Sequence, residues 1–139
     1  MLKPVTDPDG APFWRYAAQG ELRVQACADC REPRFPPRPC CPHCQSFRGE
    51  WRAVSGYGRV WSYAVPHPPL LPEYAELAPY IVVVVELEDA PRIRLVGNLV
   101  GAPGAPIGSP PSGRVRIGAR VRAVFPEGGL MQWVPERAS

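Results

Sequence analysis

Two short cysteine motifs, Cys27-Ala28-Asp29-Cys30 and Cys41-Pro42-His43-Cys44, are separated by ten residues. Paired Cys-x-x-Cys motifs at this spacing are the usual sequence signature of a structural zinc site. Each pair forms a tight turn, or knuckle, and the short connecting loop lets the second knuckle fold back over the first. Four sulfurs at about 2.3 Å then complete a tetrahedron with no open position. The pattern predicts a closed metal site whose ligands are Cys27, Cys30, Cys41 and Cys44. The alternative is that the same cysteines form two disulfides.

Two side chains beside the second motif could compete for the metal. Two residues between ligands give a knuckle its turn, so the spacing favours Cys41 with Cys44 and leaves Cys40 as a free thiol. His43 is interpreted as an exposed side chain, since four thiolates already fill the coordination shell. Iron binds the same spacing in rubredoxin-like sites, and it therefore remains the alternative to zinc.

The composition favours a small β protein. The chain has 139 residues, of which 45% are hydrophobic, and 20 prolines and 13 glycines interrupt it. Long helices are therefore not expected. No apolar run approaches the roughly 20 residues that span a bilayer, and residues 1–7 lack the pattern of a signal peptide. We therefore expect a cytoplasmic protein without a membrane segment, in a compartment where thiols stay reduced.

The charge is nearly balanced once the metal is counted. The formal net charge is +3, and four thiolates with one divalent ion carry a net charge of −2, which leaves about +1. This value is too small to predict nucleic-acid binding from bulk charge.

Hydrophobic periodicity divides the chain into three parts. Residues 1–20 form a polar tail and a short helix over 12–19, with a proline in its first turn and Gly20 at its end. Alternating residues 22–27 and 50–54 predict strands that enter and leave the knuckles. Residues 21–54 are thus predicted to be a zinc ribbon that is too small to fold without metal.

Residues 55–139 are predicted to form a small closed barrel of short strands, since closure removes exposed edges at this size. Residues 80–85 are apolar at every position, which predicts a central strand buried on both faces at its start. The loops 66–79 and 101–113 are rich in proline and glycine. The predicted strands are 59–65, 80–88, 92–96, 120–125 and 130–134, with residues 114–117 leading into the fourth.

The chain resembles the DUF35 family, in which a rubredoxin-like zinc ribbon is joined to an OB-fold. The resemblance covers roughly residues 12 to 134 and favours zinc as the metal. Two features depart from the family pattern, namely Cys40 and the long loop 101–113. The matching residues are Phe13-Trp14 with Gly20, the four paired cysteines, Phe35-Pro36-Pro37-Arg38, Gly58-Arg59-Val60-Trp61-Ser62-Tyr63, Val84-Val85-Glu86-Leu87, Gly97-Asn98-Leu99-Val100, and Ile117-Gly118 with Val121.

The resemblance implies a small partner subunit in a hetero-oligomer with an enzyme that acts on acyl-coenzyme A. The partner would be a thiolase-fold enzyme, namely a thiolase, an acyltransferase or a retro-aldolase of steroid side-chain degradation. That subunit would supply the catalytic residues. This chain would stabilise it and could help to shape the coenzyme A channel, so an acyl-CoA thioester is the expected ligand of the complex.

Two groups of residues are candidates for these roles. The first is a docking surface of aromatic and proline-bearing elements, with the loop around His67 beside it: Phe13, Trp14, Phe35, Pro36, Pro37, Arg38 and His67. The second is a set of arginine pairs spaced by two, so that each pair projects from one face of its strand. These arginines are Arg92, Arg94, Arg114, Arg116, Arg120 and Arg122. Their hypothetical role is to contact coenzyme A phosphates. The alternative is that they form a solvated outer face.

Two other functions are compatible with parts of the sequence. Zinc ribbons and OB-folds also occur together in nucleic-acid machinery, where aromatic residues such as Trp61 and Tyr63 stack on bases. The low net charge makes nucleic acid the less favoured partner. An independent enzyme is disfavoured, since His67 has no nucleophile motif to accompany it.

Overall fold

The protein is described by a computed structural model, which covers residues 5–113, 115–127 and 130–136. Helix α1 spans Ala11–Ala18 and carries Pro12 in its first turn, as predicted. Gly20 follows two residues after its end, with a φ of 78° that is readily available only to glycine. A second helix, α2, is a single turn over Pro72–Ala75 in a loop that was predicted to be irregular. No helix in these ranges is long and apolar enough to cross a membrane.

The cysteine-bearing part forms a three-stranded antiparallel sheet in the order β2-β1-β3. Strand β1 spans Arg23–Cys27 and β3 spans Gly49–Ala53, close to the predicted strands. Strand β2, Pro33–Arg34, is a two-residue strand that periodicity could not reveal. The sheet places both knuckles at the same end, because Cys27 at the end of β1 pairs with Gly49 at the start of β3.

The remaining strands close into a five-stranded barrel in the order β4-β5-β6-β8-β7, with β7 paired back to β4. Among the strands that the structure describes, only β6 and β8 pair in parallel, through Asn98 opposite Gln132. The order first, second, third, fifth and fourth is that of an OB-fold. The predicted fold class is therefore confirmed: a mainly β protein with a short helix, a zinc ribbon and an OB-type barrel. The barrel strands are β4 (Tyr57–Ala64), β5 (Ile81–Leu87), β6 (Arg94–Leu99), β7 (Arg120–Val124) and β8 (Gln132–Pro135).

Three local expectations were wrong. Strand β5 alternates between buried and half-buried residues, so Val82 and Val84 lie on the outer face rather than in a second core. Strand β6 begins at Arg94 instead of residue 92, because the backbone N–H of Ile93 donates to Ala90 and forms a turn. Arg116 lies in a turn before β7, with Gly118 at φ 90°, rather than on a strand as the arginine spacing predicted.

One hydrophobic core joins the ribbon to the barrel. Phe13 of α1 and Val24 of β1 belong to the same cluster as Val60, Leu87 and Trp133 of the barrel. Burial of a large apolar side chain contributes about 1.5–3 kcal/mol, so these contacts stabilise both parts together. Deleting the ribbon would expose this side of the barrel core, and point substitutions are therefore the sounder way to test its role.

Candidate metal centre and docking surface

The first knuckle is held by two kinds of hydrogen bond, one within its backbone and one from backbone N–H groups to a sulfur. The N–H of Arg31 donates to the carbonyl of Cys27 over 3.0 Å, and the N–H of Cys27 donates to Glu32 over 2.9 Å. The N–H groups of Asp29 and Cys30 both lie 3.4 Å from the Cys27 sulfur. These donors point at the sulfur that must carry negative charge when it binds a metal.

The second knuckle repeats this geometry. The N–H of Gln45 donates to Cys41 over 2.9 Å, and the N–H groups of His43 and Cys44 approach the Cys41 sulfur at 3.4 and 3.5 Å. In both knuckles the residue after the second cysteine has a positive φ, 71° at Arg31 and 63° at Gln45. Few non-glycine residues adopt this conformation, so the turn constrains the backbone at two equivalent positions.

The four predicted cysteines converge. Their sulfur atoms all lie within 4.8 Å of one another, with Cys27 and Cys44 at 3.6 Å and Cys30 and Cys41 at 3.7 Å. Sulfur atoms bound tetrahedrally to one zinc ion at about 2.3 Å would be about 3.8 Å apart, whereas a disulfide bond measures about 2.05 Å. The geometry therefore fits one tetrahedral zinc ion, and the disulfide alternative is wrong.

The knuckle hydrogen bonds also alter the acidity of the thiols. The N–H of Cys30 is the main reason that the pKa of Cys27 falls from 9.0 to about 6. The pKa of Cys41 is lowered in the same way, chiefly by the N–H of Cys44. At Cys30 the N–H of Glu32 favours the thiolate, but loss of hydration and the neighbouring thiols outweigh it and raise the pKa to about 12. In each knuckle the backbone N–H groups thus favour the thiolate form of the first cysteine, Cys27 or Cys41.

Cys40 and His43 lie outside the four-sulfur group. The Cys40 thiol faces the carbonyl of Cys41 at 3.7 Å, and it is not one of the clustered sulfurs. His43 is exposed on the turn of the second knuckle. Both placements agree with the predicted ligand set.

Arg34, which the sequence analysis did not single out, is buried beside the metal centre. Only 4% of Arg34 is exposed, and none of the described carboxylates forms an ion pair with it. Its Nε and Nη2 donate to the carbonyl of Arg38, Nε also donates to Gln25, and Nη1 has no hydrogen-bond partner among the described residues. Arg34 and Cys41 line the same small cleft. Glu32 lines this cleft as well. A zinc-tetrathiolate that includes Cys41 would carry a net charge of −2 and add to the negative charge near the buried cation.

The predicted docking residues separate into core and surface. Phe13 is 4% exposed and packs on Trp14 and Phe35 at ring distances of 5.0 and 5.5 Å. Its prediction as a docking residue was wrong, because α1 turns it into the shared core. Trp14, Phe35 and Pro37 are half-buried, and the exposed members of the set are Pro36, Arg38 and His67.

The backbone of segment 35–38 is fixed by hydrogen bonds to the side chains of Arg34 and Gln25. The carbonyl of Arg38 accepts from Arg34, and its N–H donates to Gln25 over 2.8 Å. The segment therefore presents Pro36 and Arg38 to solvent on a backbone that is already ordered. His67 lies in a different loop, with its Nδ1 2.9 Å from the carbonyl of Val65.

The predicted phosphate-binding arginines are not equally available. Arg94, Arg120 and Arg122 form ion pairs with glutamates at 3.7, 2.7 and 3.2 Å. Arg92 lies 4.0 Å from Glu32, with 87% of its side chain exposed, and Arg116 is exposed in the turn before β7. Arg114 lies outside the described residues. Only the β7 pair projects from one strand as expected, since Arg92 and Arg116 occupy turns.

Comparison with known proteins identifies the family. The profile described as "ChsH2, rubredoxin-like zinc ribbon domain" matches residues 14–49, and that described as "ChsH2, C-terminal OB-fold domain" matches residues 51–126. The chain belongs to the DUF35 family. The match to a zinc ribbon profile and the four-sulfur geometry agree on zinc as the structural metal.

A similar solved structure is a chain of an "Ltp2-ChsH2(DUF35) aldolase". It has 38% sequence identity and a TM-score of 0.76, and the match covers 96% of this chain and 98% of that one. A relative from Methanocaldococcus jannaschii, a "DUF35 domain-containing scaffold protein", is 33% identical over 81% of this chain and 73% of its own length.

Two longer relatives carry hydratase names. The "probable enoyl-CoA hydratase alpha subunit" of Thermomonospora curvata is 43% identical over 71% of this chain. The "3-oxo-4,17-pregnadiene-20-carboxyl-CoA hydratase alpha subunit" of Mycobacterium tuberculosis is 35% identical over 98% of it. The matches span only 30% and 40% of those two proteins.

Proposed function

We propose that this chain is a non-catalytic zinc-bearing subunit that docks on and stabilises a thiolase-fold enzyme acting on acyl-coenzyme A. The observation that carries the proposal is its likeness, over nearly the full length of both chains, to the DUF35 chain of an aldolase. The name of the archaeal scaffold protein favours a structural role over a catalytic one. The names of the hydratase subunits support an acyl-CoA substrate for the complex.

The chemistry of the metal centre supports the same role. A zinc ion that catalyses hydrolysis or polarises a carbonyl keeps one coordination position open for water or substrate. Here four sulfurs would occupy all four positions. The metal then contributes to folding and holds the ribbon, including the segment 35–38 between the knuckles, in a fixed shape.

The docking surface that we propose consists of Trp14, Phe35, Pro36, Pro37 and Arg38, with the His67 loop as a second contact. Because Arg34 and Gln25 already order the segment 35–38, binding would cost little further conformational entropy. Aromatic residues and arginine are also the residue types that contribute most at protein interfaces.

Substitution of Arg38 tests this surface. The partner for the assay is a candidate thiolase-fold protein from the same genome, co-expressed with this chain and isolated through it. We expect Arg38→Glu to weaken the complex at least tenfold. Arg59→Glu, which makes the same charge change on the barrel, is the matched control and should have little effect. Absence of a complex with the wild-type chain, or equal affinity for both variants, would contradict the proposal.

A contribution to coenzyme A binding would fall mainly to Arg92 and Arg116, which are exposed and lie in turns. The ion-paired arginines would first have to exchange a glutamate for a phosphate, although exposed pairs contribute only about 0–1 kcal/mol. We expect the double variant Arg92→Ser/Arg116→Ser to lower the acetyl-CoA affinity of the assembled complex several-fold at low salt. Arg59→Ser is the control, and unchanged affinity in the double variant would refute this contribution.

Binding of single-stranded nucleic acid is the second candidate, and one observation favours it. Trp61 and Tyr63 on β4 are 49% and 43% exposed, as expected for side chains that stack on bases. However, Arg94 already covers the Trp61 ring at 3.8 Å. Titration of a labelled oligonucleotide at low and high salt separates the two functions, because backbone contacts weaken steeply with salt.

A further inference from the structure

A concave site on the barrel is independent of the proposed docking surface. It lies between the α2 loop, the loop after β6 and the loop between β7 and β8, with a volume of about 650 Å³. This size falls in the range of small-molecule sites, roughly 300–1,000 Å³. Its wall is largely apolar and includes Leu77, Ile107, Pro126 and Leu130.

The wall also contains a buried amide with an unused acceptor. Gln132 of β8 is 7% exposed, and its Nε2 donates to the carbonyl of Ala105 over 3.0 Å. Its Oε1 is buried and accepts no hydrogen bond from the described residues. Because the donor end of the amide is already occupied by a carbonyl, the free end is an acceptor. A buried acceptor without a partner is costly, and a ligand that carries an N–H group would satisfy it.

The charges around the cleft have one sign. Glu73 and Glu76 line it and are exposed to solvent. Among the described residues that line it there is no arginine, lysine or histidine. A phosphate or carboxylate would therefore be repelled, whereas a cation would be attracted. These properties distinguish the cleft from any site for the phosphates of coenzyme A.

We propose that this cleft binds a small molecule that combines a compact hydrocarbon body with an ammonium group. The hydrocarbon packs on Leu77, Ile107 and Leu130. An N–H of the ammonium donates to Oε1 of Gln132, and the carboxylates of Glu73 and Glu76 attract the positive charge. The proposal does not depend on the proposed function, since none of these residues belongs to the docking surface or to the arginine set.

The test is an NMR titration of the zinc-loaded chain with cyclohexylmethylammonium and, separately, with cyclohexylacetate, which has a similar body and the opposite charge. We expect the ammonium to bind at least fivefold more tightly at neutral pH and low salt, with shifts at Leu77 and Gln132. Equal affinity of the two probes, or no binding of the ammonium at 10 mM or so, would overturn the proposal.

Two variants assign the contribution of each group. Glu73→Gln/Glu76→Gln should weaken ammonium binding several-fold, whereas the control Asp9→Asn/Glu21→Gln makes the same charge change elsewhere and should not. Gln132→Leu removes the acceptor and should also weaken it. If Gln132→Leu does not fold, the glutamate pair decides alone: unchanged binding in that double variant would refute the site.

Discussion

Arg120 of β7 forms a two-point ion pair with Glu88 just after β5, with N–O distances of 2.7 and 3.1 Å. The guanidinium also lies 4.2 Å from the centre of the Tyr57 ring on β4. The arginine thus connects three neighbouring strands of the barrel. Its hydrogen bonds are the main reason that the pKa of Glu88 is lowered from 4.5, and they also raise the pKa of Arg120.

This pair predicts a pH-dependent contribution to stability. Because the pKa of Glu88 is lower in the folded state, its contribution is fully present above pH 4.5 and is lost as the pH falls through the folded value. We expect Glu88→Gln to be less stable than the wild type at pH 7, and the difference to shrink below pH 4.5. The midpoints of urea unfolding of both proteins, measured between pH 7 and pH 3, give this difference in stability. Loss of metal in acid affects both proteins equally and does not change the difference. Glu127→Gln, which lies in no ion pair of the described residues, should show no such trend.

Gly58 allows β4 and β5 to approach closely. A Cβ atom at this position would lie 2.6 Å from the carbonyl oxygen of Glu86 and closer still to Val85. Backbone cannot move aside cheaply, so we expect Gly58→Ala to lower the free energy of unfolding by about 1–3 kcal/mol. The control is Gly101→Ala, whose nearest contact would be an ordinary 3.4 Å. Equal thermal midpoints for the two variants would show that the strands can separate without cost.

The features that the sequence predicted well are local. The cysteine spacing predicts the four ligands, because two intervening residues are enough to form each knuckle. Alternating residues predict β1 and β7 within one residue of their observed bounds. The order of the barrel strands, by contrast, is not a local feature. It depends on pairings such as Asn98 with Gln132, which are far apart in the chain, and it came from the resemblance to a family rather than from periodicity.

The features that the sequence missed depend on distant partners. Arg34 stands next to Pro33 in a segment that reads as extended and exposed, yet contacts with Gln25 and Arg38 bury it. Phe13 lies in an aromatic segment without one clean apolar stripe, and only its contacts with Trp14 and Phe35 place it in the core. The β4–β5 pairing turns Val82 outward although valine is usually buried. No local pattern contains this information.

Substitution of single cysteines tests the metal site. We expect the wild-type chain to bind one zinc ion, measured by metal analysis and by titration with a chromogenic chelator. Cys27→Ser and Cys41→Ser should lose most of this binding and should unfold the ribbon, because metal binding supplies its folding energy. Cys40→Ser should retain full stoichiometry, since its thiol is not in the four-sulfur group. A coloured, iron-containing protein from cells grown with zinc would contradict the choice of metal.

The positive φ of Gln45 predicts an unusual pattern of tolerance. Glycine adopts this conformation without steric cost, whereas a β-branched residue meets a strong clash. We therefore expect Gln45→Gly to keep the zinc affinity of the wild type and Gln45→Val to lower it at least tenfold. Gln19→Val, at a position with a negative φ, is the control for the residue type. If Gln45→Val binds zinc as tightly as the wild type, the knuckle does not require this backbone conformation.

The buried guanidinium of Arg34 predicts a coupling between its charge and the metal. Arg34→Met removes the hydrogen bonds to Gln25 and Arg38 together with a positive charge in the cleft that Cys41 also lines. Arg34→Lys keeps the charge and loses the planar guanidinium group. Both variants should therefore be less stable, by about 2 kcal/mol or more. If the charge stabilises the metal centre, Arg34→Met should lower the zinc affinity more than Arg34→Lys does, as measured by competition with a chelator at pH 7. Equal zinc affinities in the two variants would mean that Arg34 orders the segment 35–38 through its hydrogen bonds alone.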